Sequence, residues 1–340
     1  MGAGCREGQT LRCNVGIVKR CNMTLTDREG EQKMSEALKI TSNFEGLTRA
    51  SNGDYILEGD LRVDRSLVVD LDDRLIIRGV VIVKGSIFIE AGGSIKTGSF
   101  IKADSFIEAG SFIEAGGSIE ADSFIKAGGF IKADISIEAG GSIEAGGFIK
   151  ADSFIEADSF IKAGSSIEAG SFIEAGSFIK AGGSIEAGSS IEAGSFIEAG
   201  GSIEADISIK TGGSIEAGGF IKTGGFIEAD SSIKADNFIE AGGFIKADIS
   251  IEAGYGITAA LGITARAWIS AEYRILAGVA AWRSKGDIAH HSHDLIRCEE
   301  LRSGEIAFGR LEITKPKTKE LTVAQISEAL GYDVKVVKDA

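Results

Sequence analysis

Along residues 89–275 an isoleucine stands at every sixth position, from Ile89, Ile95, Ile101 and Ile107 through to Ile275, thirty-two in succession. Neither a helix nor an ordinary strand has that period. A fixed repeat of this kind marks a solenoid whose units stack on their neighbours. One unit reads Ser or Gly, Phe or Ser, Ile, Glu or Lys, Ala or Thr, Gly or Asp. With the isoleucine at position i, alternation along a strand turns the small residue at i−2 and the Ala or Thr at i+2 inward as well. The Phe or Ser at i−1 and the Glu or Lys at i+1 then face out. Gly or Asp at i+3 tolerates the backbone of a corner. Each unit is a short strand and a turn.

The flanks are less regular. Short β-rich runs, Tyr55–Leu57, Leu61–Val63, Leu67–Val69, Leu75–Ile77 and Val80–Val83, are separated by the breakers Gly59, Asp72, Asp73 and Gly79. Leu57, Val63 and Val69 lie six apart, the phase slips by two, and it resumes at Leu71, Ile77 and Val83. Residues 34–85 therefore read as a cap with irregular first coils, since terminal repeats of solenoids are atypical. Residues 86–283 are the regular array. Tyr255, Trp268, Tyr273 and Trp282 cluster near its end and are expected to close it, protecting the last strand's edge. Residues 284–314 read as a loop followed by a terminal hairpin or strand pair. Over residues 315–340, Pro316 and three lysines mark a linker, Thr322-Val-Ala-Gln325 is a capping box opening a short helix, and Val334, Val336 and Val337 follow as a strand. The fold class is thus all-β, a single-stranded triangular β-solenoid of about eighteen residues per coil with a small C-terminal αβ tail.

Here the unit Ile107-Glu-Ala-Gly-Ser-Phe112 resembles the hexapeptide-repeat left-handed β-helix family, in which an aliphatic residue, a small or acidic one, two free positions, a small one and a free one recur. The resemblance covers over half of the chain. It implies three units per triangular coil, ten or eleven coils, and a rod of roughly 50 Å. A second resemblance is to bactofilin-like solenoids, which would imply assembly into filaments. Residues 321–338 resemble a short C-terminal module of phage and prophage proteins, which implies such an origin.

Composition narrows the function classes. The chain has 340 residues, 47 Gly, one Pro and a net charge of −14. Residues 89–253 hold 11 Lys against 17 Glu and 9 Asp, a balance of −15, so the array carries the acidity. That balance argues against free DNA or RNA as a partner, which needs a basic stripe. No apolar run is long enough to span a membrane, and the first residues lack the apolar core of a signal peptide, so a cytoplasmic protein is expected. Residues 1–33, with Cys5, Cys13 and Cys21 at eight-residue intervals, read as disordered or as an extension before Met34.

If a coil is eighteen residues, positions eighteen apart stack. Phe88, Phe106, Phe124, Phe160, Phe178 and Phe196 then form an aromatic ridge interrupted by Ser142. Glu120, Glu138, Glu156, Glu174 and Glu192 form an acidic ridge, with Asp104, Asp122 and Asp158 at the next corner. An exposed contiguous apolar surface marks a contact site, whereas stacked like charges oppose folding. All three histidines fall in one stretch, and His290, His291, His293 and Asp294 are the candidate metal ligands. No cofactor motif is present, because the glycines mark corners rather than phosphate cradles. Acyl transfer on this rod would need a histidine as base, and residues 89–275 contain none. The expected function is a non-enzymatic scaffold or interaction rod, phage or prophage encoded, that binds a protein partner. The alternatives are an acidic DNA mimic that inhibits a host DNA-binding enzyme and a self-associating, bactofilin-like filament.

Overall fold

A computed structural model describes residues 37–90, 92–278 and 295–314. The chain winds as a parallel β-solenoid with three faces per coil. Most strands are three residues long, an isoleucine, a charged residue and an alanine, and corners of three residues join them. We number the faces by their strands: the first holds Ile101–Ala103 and Ile119–Ala121, the second Ile107–Ala109 and Ile125–Ala127, the third Ile113–Ala115 and Ile131–Ala133. The first face is a sheet of fourteen strands, which at the usual spacing makes the rod about 60 Å long. The other two faces merge into one sheet because the ten-residue strand Trp268–Ala277 rounds their shared corner without a break.

Register follows from the repeat. Ile101 pairs with Ile119 and Ile119 with Ile137, each eighteen residues on, so within the eighteen-residue coils each inward isoleucine rests on another. The isoleucines of the six-residue series are fully buried, as are the threonines at i+2, Thr97, Thr211 and Thr223. A buried isoleucine contributes about 1.5–3 kcal/mol, and successive rungs also share backbone hydrogen bonds such as Ile125 N–H to Ser142 O at 2.9 Å.

The structure refines the sequence reading at four places. First, the N-terminal coils have twenty residues: Leu61 pairs with Val81 and Val81 with Ile101. The two extra residues lie in the corner between the second and third faces, where Gly92 takes a φ of 88°. Ile89 therefore stands opposite Ala109, while Ile87 meets Ile107, and the unbroken six-residue spacing conceals a change of register at its first member. Second, the residue at i−2 does not point inward. Ile135, Ile207 and Ile249 there are about half exposed, at 52%, 54% and 48%. With strands of only three residues, alternation ends at i and i−2 belongs to the corner.

Third, the terminal strands are not a hairpin. Leu295–Cys298, Glu300–Phe308 and Arg310–Ile313 all add in parallel and continue the coil. The only antiparallel pairing among the described residues is at the other end, Leu47–Arg49 with Tyr55–Leu57, which closes the first coil. Fourth, Tyr255 and Tyr273 do not close the rod: they stack on each other with centroids 5.5 Å apart and are exposed. The five runs expected between residues 55 and 83 are strands within one residue of their expected bounds. No helix among the described residues is long and apolar enough to cross a membrane. Residues 1–33, Trp282 and the segment 315–340 lie outside the described residues.

Replacing one central isoleucine, Ile155→Ala, leaves a hole between two identical neighbours and is expected to lower stability by about 3 kcal/mol, with Ile155→Val costing about 1 kcal/mol. Urea unfolding measures both, and hydrogen exchange should show the loss concentrated in the adjacent coils.

Candidate functional site: the acidic face

The outward residue at i+1 of each strand stacks on its equivalent in the next coil, so the charge pattern of each face is a column read upward. On the second face glutamate and lysine form successive ion pairs: Glu108 with Lys126 at 3.2 Å, Glu144 with Lys162 at 3.0 Å, Lys180 with Glu198 at 2.8 Å and Glu216 with Lys234 at 3.6 Å. The third face pairs Lys96 with Glu114 at 2.9 Å, Lys150 with Glu168 at 2.5 Å and Glu204 with Lys222 at 3.2 Å. It leaves Glu186 alone between Glu168 and Glu204. Exposed pairs of this kind contribute little each, about 0–1 kcal/mol, but they cancel charge locally.

The first face differs. Glu120, Glu138, Glu156, Glu174 and Glu192 are successive members of one column, in direct register. Only its ends are neutralised, Glu120 by Lys102 and Glu192 by Lys210. Among the described residues Glu138, Glu156 and Glu174 have no cationic partner. Asp104, Asp122 and Asp158 stand exposed in the following corner, as expected. The column spans four rung steps, about 19 Å. Burial against its neighbours pushes the Glu156 carboxyl above the usual carboxylate range, and the charges of Glu174, Glu138 and Asp158 add to the rise.

The aromatic ridge is real but shorter and less distinctive. Phe106 stacks on Phe124 at 4.7 Å, Phe160 on Phe178 at 4.8 Å and Phe178 on Phe196 at 4.9 Å, with Ser142 as the gap. Phe88 does not belong: it lies in a twenty-residue coil, pairs with Glu108 and occupies an outward strand position. The other two corners carry equal stacks, Phe112–Phe130–Phe148 and Phe220–Phe238 on one, Phe154–Phe172 and Phe226–Phe244 on the other. The eighteen-residue spacing that places Phe106 on Phe124 holds for these as well. Most of the rings are half-buried, so the stacks fill corners as much as they offer surface. His290, His291, His293 and Asp294 lie outside the described residues.

Comparison with known protein families, characterised proteins and solved structures finds no match to this chain.

Because the folded state raises the Glu156 pKa, it binds that proton more readily than the unfolded chain does. Stability should then increase as pH falls through the folded-state pKa, and the penalty should vanish below the unfolded value near 4.3. Glu156→Gln is expected to stabilise the protein by about 0.5 kcal/mol at pH 7 and to flatten that acid-side gain. Thermal melts of both proteins between pH 7 and pH 4 measure the two effects.

Proposed function

We propose that the protein is a non-enzymatic interaction rod whose first face docks a basic patch on a protein partner. The observation that carries this reading is the contrast between faces. The second and third columns mix lysine with glutamate and largely cancel, whereas the first presents five glutamates in succession, the central three without a cationic partner among the described residues. Stacked like charges oppose folding unless a cationic partner relieves them, and a complementary surface steers association. The rigid rod fixes the carboxylate spacing in advance, so a partner does not have to order the acidic face on binding.

Charge density separates this reading from DNA mimicry. Duplex DNA carries about one charge per 1.7 Å of axis, while the glutamate column carries about one per 4.8 Å. A sparse row suits a protein surface with a few lysines and arginines better than a groove built for two phosphate strands. The six-residue unit and triangular coil support a place among hexapeptide-repeat solenoids, and the tail from Leu321 to Lys338 supports a phage or prophage origin. The absence of histidine from residues 89–275 weighs against acyl transfer. End-to-end assembly is disfavoured by the antiparallel closure at Leu47–Leu57.

The test is a pull-down from a host lysate with the wild-type protein and with Glu138→Lys, Glu156→Lys and Glu174→Lys combined. A partner captured by the wild type, lost on charge reversal and released by moderate salt supports the acidic face. Capture unchanged by charge reversal but lost on replacing Phe106, Phe124, Phe160 and Phe178 with Ser would move the contact to the aromatic ridge. Competition of the captured partner by duplex DNA would favour mimicry.

A further inference from the structure

In the corner column leading into the third face, the residue before each isoleucine runs Phe220, Phe238, Gly256, Arg274. Phe220 and Phe238 stack at 4.9 Å, and the column then loses its side chain for one rung at Gly256. The vacancy opens a cleft of about 360 Å³ floored by Gly256. Phe238 lies at one end and Arg274 at the other, while Tyr255, Tyr273 and Leu276 supply the walls. Two rung steps separate positions 238 and 274, about 9.6 Å. A planar ring seated midway would lie about 4.8 Å from Phe238, the stacking distance found throughout the corner columns.

The same column shows at its other end how the molecule fills such a gap. There Arg74, Ser94 and Phe112 follow in register, and the Arg74 guanidinium reaches across Ser94 to lie 4.9 Å from the Phe112 ring. At the corner leading into the second face Arg302 covers Trp268 at 4.1 Å. Arg274, by contrast, makes neither a ring contact nor an ion pair among the described residues. Arg274 is exposed and lines the apolar slot, which is about one ring thick. We infer that the slot at Gly256 binds an aromatic ring carrying a carboxylate, the ring stacking on Phe238 and the carboxylate meeting Arg274. Glu240, on the rung of Phe238, repels an anion at that end; Glu305 stands one rung beyond Arg274, away from the slot, so the acid meets the guanidinium from the slot side.

Three small probes on the full chain test this by saturation-transfer NMR: N-acetylphenylalanine, its amide, and N-acetylleucine. The acid should bind with a Kd of about a millimolar, as expected for a ligand of that size, the amide several-fold more weakly and the leucine derivative least. Gly256→Phe, which restores the column's own side chain, should lower binding by roughly tenfold or more. The Cβ added at Gly256 would sit 3.0 Å from the Arg274 carbonyl oxygen, so a second variant guards the test. Phe238→Ser places in the column a residue it already carries at Ser166, Ser184 and Ser202, and should weaken binding as much. Arg274→Gln should bind acid and amide alike. Wild-type binding that persists in Gly256→Phe, equal binding of acid and amide by the wild type, or no binding of any probe at several millimolar would overturn the inference.

Discussion

The array depends on one constraint, the register that lays each of its rungs on the equivalent rung eighteen residues earlier. Parallel strands of three residues are too short to hold together alone. They persist because each isoleucine is enclosed by the isoleucines above and below, and because the rung's backbone groups pair with the next coil. The constraint extends to residues that gain nothing from it. A side chain outside the rod is forced to stand beside whatever the sequence placed eighteen positions away, so phenylalanines stack, serines hydrogen-bond to serines (Ser136 Oγ donating to Ser118 Oγ at 3.0 Å), and glutamates confront glutamates. The surface is therefore a set of columns, and function has to be sought in what each column adds up to.

Much of this was legible in the sequence because a period of six can be read without structural information. The inward isoleucines, the buried Thr97, Thr211 and Thr223 and the register of Glu120 through Glu192 all follow from it, while the five early strands follow from their apolar runs and the breakers between them. What the sequence concealed lay where local geometry departs from the period. Ile89 keeps the spacing although it occupies a different position, because the two residues added near Gly92 restore the same interval by coincidence. That coincidence also misplaced Phe88 in the aromatic ridge. Ile135, Ile207 and Ile249 turn outward because alternation holds only within a strand, and the strands are shorter than the unit suggests. The parallel addition of Arg310–Ile313 was hidden because its residues no longer repeat, although Leu311 still meets Ile296 and Ile313 meets Cys298.

Two surface features stand apart from a background that otherwise balances itself. The glutamate column works against folding and is rigidly displayed; the slot at Gly256 interrupts an aromatic column beside Arg274, which has no ring or ion-pair partner among the described residues. They lie on different parts of the rod, the first across its middle coils and the second near the end of the array. A partner could engage one without the other. Both arise from single departures in a repeated unit, a glutamate kept where lysine would neutralise it and a glycine kept where phenylalanine or serine would fill the corner. In a chain built by repetition, such departures are where specificity can enter.

The eighteen-residue register is most directly tested by pulsed electron paramagnetic resonance between spin labels at Glu120→Cys and Glu228→Cys, with Cys5, Cys13, Cys21 and Cys298 replaced by Ser. Both positions belong to the first-face column, six rungs apart, so a single narrow distance near 29 Å is expected. A coil of twelve residues would give nine rungs and about 43 Å. That distance, or a broad distribution, would contradict the stacked columns on which the acidic face and the aromatic slot both rest.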